Sequence, residues 1–235
     1  MSEEIFRLDP YAKTCVARVT KVCSDGVLLD KTVFYPQGGG QPGDTGFIKS
    51  TSGGVGRVTN TVRNRESGDH VHLIENAQKF CVGDSVSAEI DWLRRYCFMR
   101  MHSALHILCS IVKGGVTGGQ IGTEKSRLDF DLGEEKMDRN YIQDTMNFII
   151  KNDHPLVAKW VSEEELEQKP ELIRTMSVKP PSGAGHVRLI DIKGVDIQPC
   201  GGTHVARSGE IGAIRVGKIE NKGKRNRRIN IHLLD

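Results

Sequence analysis

Cys15-Val16-Ala17-Arg18-Val19-Thr20-Lys21-Val22 alternates small or apolar residues with polar ones. A period of two is the mark of a strand with one buried face and one wet face. Asp25-Gly26 follows, a dipeptide suited to a hairpin turn, and Val27-Leu28-Leu29 begins the returning strand. Working outward, further short strands are predicted near residues 55–62 and 86–90. Between them lies Phe34-Tyr-Pro-Gln-Gly-Gly-Gly-Gln-Pro-Gly-Asp-Thr-Gly46, whose prolines and glycines bar any regular element. Residues 1–90 therefore read as a β-rich domain with a glycine-rich motif, a small and strongly curved sheet or barrel.

The pattern changes after Asp91. Leu93, Cys97, Met101, Leu105, Leu108 and Val112 recur at threes and fours, the stripe of an amphipathic helix, with Gly114-Gly115 to stop it. A second helix is predicted from about residue 134 to 151, with Met137, Tyr141, Met146 and Ile149-Ile150 as its apolar contacts. A shorter one is predicted at 162–168, where Ser162 and Glu165 form a capping box and Pro170 limits extension. Strands are expected at 187–192, 211–216 and 229–233. The expectation for the whole chain is α+β: a barrel-like N-terminal domain, then a two-layer α/β domain with an antiparallel sheet over 91–235.

Composition narrows the function classes. With 235 residues and 37% hydrophobic side chains the chain can bury a core without disulfides, and its six cysteines show no framework spacing. A reduced, cytoplasmic protein is expected. No run of apolar residues is long enough to span a bilayer, and the acidic start MSEEIFRLDP lacks a signal core. A net charge of +3 neither demands nor excludes nucleic acid, so the placement of charge matters more than its sum. One cluster stands out: Lys218, Lys222, Lys224, Arg225, Arg227 and Arg228, with Glu220 the only acid among them.

Two pairs of soft donors carry the chemistry. His102 and His106 are four apart on the predicted helix, which puts both imidazoles on one face. Cys200-Gly-Gly-Thr-His204 sets a thiol and an imidazole around two glycines that permit a sharp turn. Either pair alone is commonplace. Together they offer three imidazoles and one thiolate, a set that suits one tetrahedral zinc ion. The pairs lie about a hundred residues apart, which argues against a self-contained zinc finger. Four protein ligands usually mark a structural site, and spacing alone leaves a catalytic role open.

Five segments in this order, FYPQGGGQPGDTG (34–46), RMHSALHIL (100–108), GGQIGTEKSRLDFD (118–131), CGGTHVARSGEIG (200–212) and KIENKGKRNRRI (218–229), resemble the editing domain of alanyl-tRNA synthetase and its free-standing relatives, the AlaX trans-editing proteins. The glycine-rich N-terminal part is similar to that of the medium-length class. The resemblance implies a zinc site at His102, His106, Cys200 and His204, and removal of serine, and sometimes glycine, from tRNA(Ala). It implies no ATP-dependent charging by this chain. The helix motif departs from the commoner HTATHLL, keeping both histidines.

The resemblance also sorts the remaining candidates. Gly39, Gly40 and Gln41 form the GGQ element, whose plain reading is a tight hairpin loop and whose functional reading is close approach to substrate with the Gln41 amide aimed at it. Asp44 could orient a neighbour or cap a turn. Thr203, like Thr45, carries a hydroxyl able to read serine, although local backbone bonding is its default. Lys222, Lys224, Arg225, Arg227 and Arg228 are placed against the tRNA(Ala) acceptor end, with Arg228 near the terminal ribose or phosphate. Two rivals remain: a non-catalytic RNA-binding module with structural zinc, and a zinc hydrolase of small esters. His70, His72, His154, His186 and His232 are assigned to surface or packing, with the first two in a polar loop or at a strand end. Oligomeric state is not legible.

Overall fold

The computed structural model describes residues 2–64, 66–133, 137–169, 172–173 and 185–234. The chain divides into two units, Met1–Tyr96 and Cys97–Asp235.

In the first unit, β1 (Glu3–Glu4) leads into a single helical turn, α1 (Ile5–Leu8), and pairs in parallel with β4 (Lys31–Thr32). Six antiparallel strands close a barrel in the order β2 (Thr14–Val22), β3 (Gly26–Leu29), β7 (His70–Ile74), β6 (Val55–Arg63), β5 (Gly46–Ser50) and β8 (Ser85–Ile90). The expected curved sheet is thus a closed one, with no free edge. Its interior is filled by Ala17, Val19, Val27, Leu29, Val33, Phe34, Ile48, Val58, Ile74, Val86, Ala88 and Ile90, among others.

Strict alternation along β2 would point Lys21 inward after Cys15, Ala17 and Val19. The register of β2 against β3 instead shifts between Val19 and Lys21. This bulge flips the phase, so Lys21 is exposed and Val22 packs on the core. β6 uses the same device between Val58 and Asn60. The two bulges supply the curvature that closure needs.

His70 and His72 resolve to packing rather than surface. Both lie within β7 and are buried, at 3% and 0% exposure. His72 Nδ1 is 3.1 Å from the Val27 carbonyl, and Nε2 is 2.8 Å from the Thr32 hydroxyl. The Val27 carbonyl can only accept, so Nδ1 carries the proton and Nε2 accepts from the Thr32 hydroxyl, whose oxygen also accepts the Phe34 N–H. Burial pushes the His72 pKa down to about 4, against a smaller upward pull from the Val27 carbonyl. His70 Nε2 lies 3.1 Å from Glu4. Burial raises the Glu4 pKa, but His70 and Arg7 outweigh it and hold the carboxyl near 2.

The second unit takes up most of α2 (Trp92–Ile111) and continues through β9 (Gly115–Gln120), β10 (Lys125–Asp131), α3 (Arg139–Lys151), β11 (Leu156–Ser162), α4 (Glu163–Glu167), β12 (His186–Ile192), β13 (Asp196–Pro199), β14 (Ala213–Val216), β15 (Glu220–Asn221) and β16 (Asn226–Leu234). Five strands form an antiparallel sheet in the order β14-β16-β10-β9, with β15 also on β16. β11, β12 and β13 form a second antiparallel sheet. The α+β class holds.

Two helix readings and one strand reading need adjusting. α2 is not amphipathic over its length: residues 101–109 are buried all round, and Leu93 is 76% exposed. No charged residue occurs from 101 to 112, which is what a fully buried helix requires. α3 starts at Arg139 behind Asp138, whose carboxylate accepts the N–H groups of Asn140 and Tyr141; residues 134–136 lie outside the described residues. Its buried stripe is Ile142, Met146 and Ile150, while Tyr141 points to solvent. α4 carries the predicted Ser162–Glu165 capping box. Ile211 belongs to a 3-10 turn, and the strand begins only at Ala213, because Gly212 turns the chain with φ 76°. β14 is sealed by α3: Asn147 donates to the Ile214 carbonyl (2.8 Å) and accepts its N–H (2.9 Å), and Gln143 accepts the Val216 N–H (3.0 Å).

Candidate metal centre

His102 and His106 lie one turn apart on α2, within its fully buried stretch. Cys200 follows the end of β13, with its N–H donating to the Arg188 carbonyl on β12 (3.0 Å). His204 stands four residues on. The ligand-type atoms of His102, His106, Cys200 and His204 all lie within 4.8 Å of one another, and the group can hold a metal ion. Cys200 Sγ is 3.4 Å from His102 Nε2 and 3.2 Å from His204 Nε2. Cys200 alone of the four is not fully buried.

The turn brings both ends to one point, as expected, but without left-handed glycines. Neither Gly201 nor Gly202 has a positive φ. Instead the Gly202 N–H donates to Cys200 Sγ (3.4 Å), so the turn folds back onto its own sulfur.

All three imidazoles are held neutral. Burial is the largest cause for each, taking His106 down to about 4 and His102 and His204 well below their ordinary value. Mutual repulsion among the rings and the nearby Arg188 guanidinium add to it for His102 and His204, and Arg188 alone does so for His106. A neutral ring keeps a lone pair for a cation.

Ser103 holds the His204 ring from the side away from the sulfur. Its hydroxyl is fully buried, accepts the Val205 N–H (3.2 Å) and lies 3.2 Å from His204 Nδ1. A cation taken at Nε2, the atom beside the sulfur, would leave Nδ1–H to donate to Ser103. Ser103 and Arg188 were not singled out by spacing. A hydroxyl between the helix histidines and an arginine inside the apolar run Val187–Ile192 were the available signals.

Within the first unit, the glycine-rich motif is a clamped hairpin. Gly38 and Gln41 exchange backbone hydrogen bonds of 3.0 and 2.9 Å around Gly39 (φ 56°) and Gly40 (φ 81°). Positive φ at both central residues is the type I′ turn that two-residue hairpins favour. Gly39 and Gly40 are exposed, and Gln41 is buried at 1%. Tyr35 Oη donates to the Gly38 carbonyl (3.0 Å). Asp44 Oδ2 accepts the Tyr35 N–H (2.7 Å) and Arg95 Nε (2.8 Å), and also pairs with Arg95 Nη2. Asp44 therefore anchors the base of the loop from inside. Gly43 lies so close to β6 that a Cβ there would sit 2.1 Å from the Thr61 carbonyl oxygen. Thr45 is half-buried and Thr203 is buried at 1%.

Residues 3–94 match the family described as tRNA synthetases class II (A), and residues 187–230 that described as Threonyl and Alanyl tRNA synthetase second additional domain. Over its full length the chain is 38% identical to the alanyl-tRNA editing protein AlaX-M of Methanosarcina acetivorans, with 100% of each chain covered. The chain belongs to the AlaX-M family. It is also 38% identical to AlaX-M of Saccharolobus solfataricus, over 97% of this chain and 98% of that one. An alanine–tRNA ligase of Sulfurisphaera tokodaii is 34% identical over 93% of this chain, which corresponds to 25% of the ligase.

In this AlaX-M chain the basic tail is less basic than it reads. β16 runs against β10 with Arg228 opposite Asp129 and Asn226 opposite Asp131. Arg228 binds Asp129 through two hydrogen bonds of 2.7 and 2.9 Å, and Arg127 reaches the same carboxylate at 2.6 Å. Burial opposes ionisation of Asp129, but Arg228 and Arg127 outweigh it and keep the carboxyl below its usual range. Arg225 pairs with Asp131 (2.9 Å) and Lys222 with Glu220 (2.8 Å). Among the described residues no ion pair involves Lys224, and Arg227 donates only to the Gly223 and Asn226 carbonyls, at 3.4 and 3.2 Å. The tail cations thus split into paired and uncommitted ones. Among the described residues, no helix is long and apolar enough to cross a membrane.

Proposed function

We propose that this chain is an aminoacyl-tRNA deacylase that hydrolyses the ester of Ser-tRNA(Ala), and secondarily Gly-tRNA(Ala), with one zinc ion held by His102, His106, Cys200 and His204. The observation that carries the reading is the convergence of these four donors, from stretches about a hundred residues apart, in a chain matching AlaX-M proteins end to end.

The donor set fits the ion. Tetrahedral zinc with Zn–N of about 2.05 Å and Zn–S of about 2.3 Å needs ligand atoms roughly 3.3–3.6 Å apart. The two sulfur–nitrogen distances of 3.2 and 3.4 Å are close to such an edge, and the widest separation of 4.8 Å closes with modest side-chain rotation. Held by these four residues, zinc would supply Lewis acidity toward a water or the ester carbonyl. The protein's own part is to keep the three rings neutral, to lock His204 through Ser103, and to leave the Cys200 side open to solvent, which supports access for water or the ester.

Serine differs from alanine by one hydroxyl, and a pocket shaped for alanine rejects it only about a hundredfold. A site that hydrogen-bonds that hydroxyl separates the two much better, since alanine leaves the site's polar groups unpaired. Thr203, one residue before a ligand and buried, and the buried amide of Gln41 are the proposed readers, with Gly39 and Gly40 setting the turn and Asp44 fixing its base. Lys224 and Arg227 are the proposed phosphate contacts to the acceptor end. Arg225, Arg228 and Lys222 frame them through their ion pairs.

Purified protein is tested on Ser-, Gly- and Ala-tRNA(Ala), with Ser-tRNA(Ser) as control, before and after chelation. Rapid deacylation of Ser-tRNA(Ala) that disappears with the metal and returns with zinc is expected. A folded, metal-free protein with full activity would sink the metal reading in favour of a structural ion, and no deacylation by metal-replete protein would sink the enzyme.

A further inference from the structure

Beyond its charge, the buried guanidinium of Arg188 makes direct contacts to the Cys200–His204 turn. It lies in β12 between Val187 and Leu189, in a strand whose other side chains are largely apolar, and is only 6% exposed. Placing a charge there is costly unless its donors are used. Its Nη1 donates to the Cys200 carbonyl (3.0 Å) and to the Gly202 carbonyl (2.9 Å). The backbone closes the clasp from the other side, as the Cys200 N–H donates to the Arg188 carbonyl (3.0 Å).

These contacts fix specific peptide planes. The peptide from Cys200 to Gly201 and the peptide from Gly202 to Thr203 both turn their carbonyls to one nitrogen. The peptide between them carries the Gly202 N–H that donates to Cys200 Sγ (3.4 Å). With both neighbours pinned, its N–H has one direction left. Flexible glycines at 201 and 202 could not hold that direction alone.

We infer that Arg188 is a positioning residue that fixes the Cys200–His204 turn and, through the Gly202 N–H, the orientation and donor strength of the Cys200 sulfur toward a divalent cation. The inference rests on the reading that the four-residue cluster binds metal. A guanidinium suits the task because the two N–H groups of its planar Nη1 have fixed directions, one for each carbonyl, whereas the three donors of an ammonium rotate freely. A methionine of similar length would leave both carbonyls without that donor.

The probe is cobalt(II) added to the full-length, metal-free chain, read by its visible ligand-field bands and its thiolate-to-cobalt absorption, with affinity measured by competition against a chelator. Arg188→Met is expected to unfold cooperatively as the parent does, to bind cobalt about ten- to a hundredfold more weakly, and to show a shifted thiolate band. Arg188→Lys should recover part of both effects. Wild-type affinity and an unshifted band in Arg188→Met would overturn the inference while leaving the metal site intact. If Arg188→Met does not fold, Arg188→Lys decides: a shifted band supports the inference and a wild-type spectrum overturns it. Parent protein that takes up no cobalt and no zinc would overturn the metal reading itself, and this inference with it.

Discussion

If the chain grips the tRNA acceptor end through its C-terminal cations, Lys224 and Arg227 should carry that grip, while Arg228 should not. The perturbation is the double variant Lys224→Ala, Arg227→Ala, set beside Lys222→Ala. Each phosphate contact adds about 0.9 to the slope of log affinity against log salt, so losing two flattens the slope by about 1.8. Salt rising fourfold from about 50 to 200 mM spans about 0.6 log units, so the variant should lose about tenfold of the parent's salt sensitivity over that range. Lys222 is held by Glu220 at 2.8 Å and should change the slope by less than half as much per residue. Fluorescence anisotropy with uncharged tRNA(Ala) at several salt concentrations reads this directly. Reversing Arg228 is the wrong probe: it sets a carboxylate against Asp129, forfeits two charge-assisted hydrogen bonds, and should disturb the β10–β16 pairing first. A slope unmoved in the double variant, or moved equally by Lys222→Ala, would refute the division of the tail into paired and uncommitted cations.

Acid should weaken the barrel through His72. The ring is neutral when folded, with a pKa near 4, and takes up a proton near 6.5 once released. Its contribution is therefore full above pH 6.5 and is lost as pH falls toward 4, about 3 kcal/mol across the window. Urea midpoints from pH 7 to 4 should fall more steeply for the parent than for His72→Gln; parallel curves would contradict this. Ser103→Ala removes the acceptor for His204 Nδ1–H and should lower metal affinity about ten- to a hundredfold in chelator competition, with unchanged affinity counting against the tautomer assignment. Gln41→Ala should keep its metal and slow removal of serine from tRNA(Ala) roughly tenfold; unaltered turnover would take Gln41 out of the site.

What the sequence disclosed depended on range. Alternation in β2, the Ser162–Glu165 box and both donor pairs are local patterns, and each survives in the folded chain. The phase change after Val19 was hidden because a bulge is set by the partner strand. Periodicity marked α2 as a helix but mistook it for a surface one, since a stripe of threes and fours can be drawn through any uniformly apolar run. Surface and packing stayed open for the histidines of β7 because their neighbours in sequence are polar, whereas burial comes from barrel closure. Asp129 and Asp131 lie almost a hundred residues before the cations they neutralise, so only the register of β10 on β16 reveals the pairing. Arg188 went unnoticed for the same reason: its carbonyl partners are 12 and 14 residues away, across a strand turn.

The amides of Asn147 and Gln143 occupy hydrogen-bonding positions along β14 that an incoming strand would otherwise fill. A helix thereby stands in for a neighbouring chain, and lateral growth of the sheet is blocked on that flank. Replacing both amides by alanine would open a template for intermolecular zippering, so the two side chains guard against aggregation while lying far along the chain from the histidines and cysteine.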